Sequence, residues 1–116
     1  GFLVNMGFRL SEDKGKLLEN LIAIELKRRE KEIFYHSDKY ECDFLIREGN
    51  KIKDAIQVTY EINEKNKERE TNGLIEALNK FKLKEGLIIT FDQEEELKLD
   101  GKKIVIKPVW KWLLTK

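Results

Sequence analysis

The feature that most constrains this chain is a pair of apolar segments, AIQVTY at 55–60 and LIITF at 87–91, held apart by a single amphipathic stretch. LIITF is almost entirely apolar, as expected of a strand buried on both faces. Between the two, Leu74, Ala77, Leu78 and Phe81 recur at i, i+3, i+4 and i+7, which predicts a helix over about 67–83. A strand, a helix and a second strand in that order permit a right-handed parallel crossover. The sheet therefore needs cover on both sides.

The rest of the chain supplies it. An apolar stripe of Leu17, Leu18, Leu21, Ile22, Ile24 and Leu26 predicts a first helix from Ser11 to about Arg29. Ser11 is suited to cap its start, Glu12 and Asp13 to its positive end, and Lys27, Arg28 and Arg29 to its negative end. FLVNM at 2–6 reads as a short strand. Glu32–His36 and Tyr40–Arg47 flank the polar turn Ser37-Asp38-Lys39, and Gly49-Asn50 leads into Lys51–Tyr60. Two short turns between three such segments predict an antiparallel meander. After LIITF come a turn-rich excursion through Glu94–Glu96 and Asp100-Gly101, a strand at Ile104–Ile106 closed by Pro108, and a short helix over Val109–Leu114. The order is α-β-β-β-α-β-β, an α/β domain with a mixed central sheet flanked by helices, spanning 1–116.

Composition limits what such a domain does. Its 116 residues suit one core. Net charge is only +1, less basic than a dedicated duplex-DNA binder, although 23 cationic residues leave room for a local patch. The Lys- and Glu-rich 39% charged fraction resembles thermophile surfaces. Lone Cys42 excludes an internal disulfide and fits the reducing cytoplasm. No apolar run reaches membrane-span length, and no Gly-rich loop offers an ATP site.

Three polar positions stand out. Glu19 lies on the flank of the first helix. Asp43 interrupts the apolar run Cys42–Ile46, where an unpartnered carboxylate is costly to bury. Gln57 sits within Ile56-Gln57-Val58, and alternation turns it with Thr59 away from Ile56, Val58 and Tyr60. Two carboxylates and an amide oxygen suit a hard divalent cation, which activates water and steadies a phosphate transition state. The same residues also fit a lysine pair for Asp43, a surface place for Glu19 and a backbone-satisfying role for Gln57. Of the other candidates, Glu25 reads as a salt-bridge partner, His36 as exposed and Cys42 as core. One of Trp110 and Trp112 is expected to pack on the domain.

Together, GKLLENLIAIELKRR, YECDFLIR and AIQVTYE resemble the PD-(D/E)xK nuclease superfamily, the restriction-endonuclease-like fold shared with archaeal Holliday-junction resolvases. More closely, they resemble the nuclease-like C-terminal domain of archaeal AAA-type ATPases. The resemblance implies an αβββαβ core, a place at the C-terminal end of a longer ATPase, an upstream ATPase domain and DNA as partners, possible oligomers, and weakly held Mg²⁺ or Mn²⁺. It places Glu19 at the helix glutamate, Asp43 at the metal-binding aspartate, Gln57 where an acid stands fourteen positions later, and Thr59 where a lysine stands. Gln57 and Thr59 depart from the motif and weigh against phosphodiester hydrolysis. The alternative is a catalytically inactive interaction or assembly module. On the metal-site reading, Gln57→Glu is expected to strengthen metal binding.

Overall fold

The computed structural model describes residues 2–115, with side chains from residue 12 onward. Its elements are α1 (Phe2–Arg28), β1 (Glu32–Ser37), β2 (Glu41–Glu48), β3 (Lys51–Val58), α2 (Lys67–Lys80), β4 (Glu85–Thr90), β5 (Glu95–Leu99), β6 (Lys102–Pro108) and α3 (Val109–Leu114). The strands form one sheet in the order β1-β2-β3-β4-β6-β5. The meander β1-β2-β3 is antiparallel, β4 is parallel to both β3 and β6, and β5 returns antiparallel along β6.

Each sheet face has its own core. Leu74, Ala77 and Leu78 of α2 pack against Cys42, Leu45, Ala55, Ile88, Ile104 and Ile106. On the other side, Leu18, Ile22 and Leu26 of α1 join Trp112 of α3 over Phe44, Ile46, Ile56, Val58 and Ile89. Ile88 and Ile89, both fully buried, point to opposite cores, which is why LIITF has no polar alternation. The stripe expected on α1 divides: Leu18, Ile22 and Leu26 are buried, whereas Leu17, Leu21 and Ile24 face outward.

Two expectations are corrected. The helix begins at Phe2, so 2–6 is not a strand and Ser11 lies inside α1 rather than at its cap. With no proline before Arg28, extending a formed helix adds one hydrogen bond per residue, which outweighs the poor propensities of Gly7 and Ser11. The excursion after LIITF also holds a strand, β5. Asp100 (φ 51°) and Gly101 (φ 74°) make the left-handed pair of a two-residue hairpin turn that folds β5 onto β6. Charged residues along β5 suit a sheet edge.

Candidate functional site

The site forms where β2 and β3 part. Register on β1 advances from Phe34 to His36 while β2 goes from Leu45 to Cys42, so Tyr35 faces both Asp43 and Phe44. This bulge bends β2 and releases Asp43 from the regular ladder. Beyond Phe44↔Ile56 the β2–β3 pairing stops, and side chains replace it. Gln57 Oε1 accepts the Asp43 N–H at 2.9 Å, and Asp43 Oδ2 accepts the Val58 N–H at 2.8 Å. Gln57 Nε2 donates to the Glu41 carbonyl at 2.9 Å and to the Glu70 carbonyl at 3.2 Å. Gln57 thus staples β2, β3 and α2 together. Gly73 allows the close seating: a Cβ there would lie 2.0 Å from the Glu41 carbonyl oxygen and 2.8 Å from Gln57 Nε2.

A cavity of about 300 Å³ opens over this staple, lined by Glu41, Asp43, Gln57, Arg69, Glu70 and the β1–β2 turn. Burial, with Glu19, Glu70 and Glu41 nearby, pushes the Asp43 carboxyl up to about 7 despite the stabilising Val58 N–H. Glu70 is likewise raised, chiefly by burial, although Arg69 pairs with it at 3.3 Å. Glu70 was not legible as a site residue, yet it stands four positions before Leu74 on the buried stripe of α2. The wall of the cavity is pinned from below. His36 is buried, not exposed as expected, and its Nε2 lies 2.8 Å from Glu76, which also accepts the Tyr40 N–H at 3.1 Å.

The four residues singled out in the sequence are brought together only in part. Asp43 and Gln57 share the staple, while Glu19, half-buried on α1, reaches Asp43 through its field. Thr59 stands just past β3; its N–H bonds the Ile89 carbonyl and its hydroxyl donates to the Glu61 carbonyl at 3.3 Å. Among the described residues, no three His, Cys, Asp or Glu side chains gather closely enough to hold a metal ion. The Gln57 amide oxygen, the third donor expected from the sequence, already accepts the Asp43 N–H. Glu25 forms ion pairs with Arg28 and Arg29, Trp112 is buried and Trp110 exposed, all as expected. Cys42 is core, and burial pushes its thiol up to about 12, so it carries no nucleophilic thiolate.

Residues 14–112, covering both cores and the whole staple, match the family described as a domain of unknown function, DUF4143. The chain belongs to the DUF4143 family. It is 43% identical over 122 residues to an uncharacterized protein, MJ1544, of Methanocaldococcus jannaschii. That alignment takes in 96% of this chain and 27% of the relative, so the DUF4143 domain spans about a quarter of the length of the relative it matches. Among the described residues of the domain, no helix is long and apolar enough to cross a membrane.

Proposed function

We propose that this DUF4143 domain is a nuclease-fold module that binds rather than cuts, working as one part of a longer ATPase-type protein. One observation carries the reading: the Gln57 amide, at the place of a motif acid, bonds three main-chain groups and holds the splayed strands together. Thr59 adds to it, because a neutral hydroxyl cannot stand beside a scissile phosphate as a lysine does. In the test, the domain is incubated with Mg²⁺ or Mn²⁺ and with branched, single-stranded and duplex DNA. No cleavage is expected, and none is gained by Thr59→Lys. Cleavage that disappears in Asp43→Ala overturns the proposal.

The second reading is a DNA-binding nuclease module with a weak Mg²⁺ or Mn²⁺ site at Glu19 and Asp43. It is favoured by the Asp43 carboxyl, raised first by burial and further by Glu19, Glu70 and Glu41, since a divalent ion would offset that repulsion. An ion that binds only the folded state raises the melting temperature by mass action. The binding module predicts no Mn²⁺-dependent rise. A rise of several degrees, lost in Asp43→Asn, selects the second reading.

A further inference from the structure

A second cavity, of about 630 Å³, lies on the α1 face of the sheet, away from the Gln57 staple. Its floor is aliphatic. Ile56, Leu87 and Val105 are cross-strand neighbours on β3, β4 and β6, and Ile46 of β2, which stands opposite Asp54, also lines the floor. Ile46 and Ile56 are buried beneath α1, while Leu87 and Val105 are only half covered. One wall is the junction of α1 with α3. There Arg29 donates to the Leu113 carbonyl at 3.3 Å and lies 4.7 Å over the Trp112 ring.

The rim is basic. Lys31, Lys53, Lys84 and Lys107 all border the opening, and none has a carboxylate within 4.0 Å among the described residues. Asp54 and Glu85 are the acidic groups of the lining. Arg29 is already paired with Glu25, so four lysines face two carboxylates, a local excess of two on a chain whose net charge is +1. Positive charge is therefore concentrated around one aliphatic trough.

We propose that this groove docks an acidic amphipathic polypeptide segment, with aliphatic side chains on the Ile56–Leu87–Val105 row and carboxylates on the lysine rim. Charge complementarity decides the sign of the partner, and the floor decides its class. Covering half-exposed Leu87 and Val105 yields free energy only if apolar atoms replace the water there. Phosphates cannot do that. A single strand of nucleic acid would need aromatic faces for its bases, and the one aromatic ring in the lining, Trp112, is buried with Arg29 across it. A polypeptide laid in a groove offers both kinds of contact at helical or strand spacing. The proposal names a partner for the binding role above and rests on that reading to this extent.

The test is selection of a random-peptide display library on the 116-residue chain. Enriched sequences are expected to combine net negative charge with several Leu, Ile, Val or Phe residues. The enriched peptide should shift the methyl resonances of Ile56, Leu87 and Val105. The double variant Lys53→Glu/Lys84→Glu, both at exposed positions, should weaken binding about tenfold or more with an unchanged melting temperature. No enrichment, enrichment of basic sequences, or binding indifferent to the charge reversal overturns the groove proposal. So does a single-stranded oligonucleotide that displaces the peptide with equal affinity and the same methyl shifts, an outcome that assigns the groove to nucleic acid. DNA cleavage in the earlier assay, by contrast, removes the binding-module reading whatever the peptides do.

Discussion

Gln57→Glu is expected to destabilise the domain by about 2–4 kcal/mol and to confer no metal response. The residue is 2% exposed, and its Nε2 is the donor for two main-chain carbonyls, those of Glu41 and Glu70. An introduced carboxylate points an oxygen at both. It also adds charge beside Asp43 and Glu70, whose own carboxyls are already raised by burial and by neighbouring carboxylates such as Glu19 and Glu41. Protonation restores one donor at most, leaving the second carbonyl unsatisfied. Each buried polar group left without a partner costs about 1–3 kcal/mol, a large share of the roughly 5–15 kcal/mol that hold a domain folded. Burial and neighbouring carboxylates raise the introduced group's pKa above its unfolded value, so the variant loses further stability as pH rises and recovers part of it on acidification. Urea unfolding at neutral and mildly acidic pH measures both. A variant as stable as the parent that also gains a Mn²⁺-dependent rise in melting temperature would show that the amide is replaceable and that the residue faces a cation.

Gln57 and Asp43 show how far the sequence could be read. Alternation correctly turned Gln57 away from Ile56 and Val58, and it correctly made Asp43 the odd residue of an apolar strand. What alternation cannot supply is the partner of each group. The bulge at Asp43 and Phe44 breaks the period of two, and nothing in YECDFLIR marks it. The meander and the crossover were legible because turn residues and apolar periodicity are local signals. The strand β5 was missed although Asp100-Gly101 announced its hairpin, because its charged residues read as a loop. Glu70 was missed because a carboxylate at the start of α2 passes for a residue on the dipole's positive end. His36 was missed because its partner Glu76 lies forty positions away. Gly73 carried a signal that went unused: a glycine inside a helix lowers its stability, and here it admits the Glu41 carbonyl.

Asp43→Asn is expected to stabilise the domain at pH 8 by about 1–3 kcal/mol, with the gain vanishing towards pH 4. The direction follows from the carboxyl, which is pushed from an ordinary 3.8 up to about 7. The folded state therefore binds the proton more tightly than the unfolded chain. Between these two values the unfolded chain has already released its proton while the folded domain still holds it. Stability contributed by the protonated carboxyl is complete below 3.8, falls as pH rises through the window, and is lost above about 7. Taken whole, a shift of this size corresponds to roughly 4 kcal/mol at 1.36 kcal/mol per unit, and water reaching the half-buried group reduces it. Asparagine keeps the acceptor that the Val58 N–H needs and turns a neutral donor, in place of a repelled charge, towards Glu19, Glu70 and Glu41. Capping alone thus requires no carboxylate at this position, and the charge stands against stability in the alkaline range. Urea unfolding of both proteins from pH 4 to 8 tests the point. A variant less stable at pH 8 than the parent would mean that Asp43 is paired with a cation in solution, and the staple would then have to be described as one arm of an ion-binding site. Where the variant is the more stable protein, Mn²⁺ separates what remains. Stabilisation of the parent alone marks a site that uses the repulsion, and indifference of both agrees with the binding module proposed above.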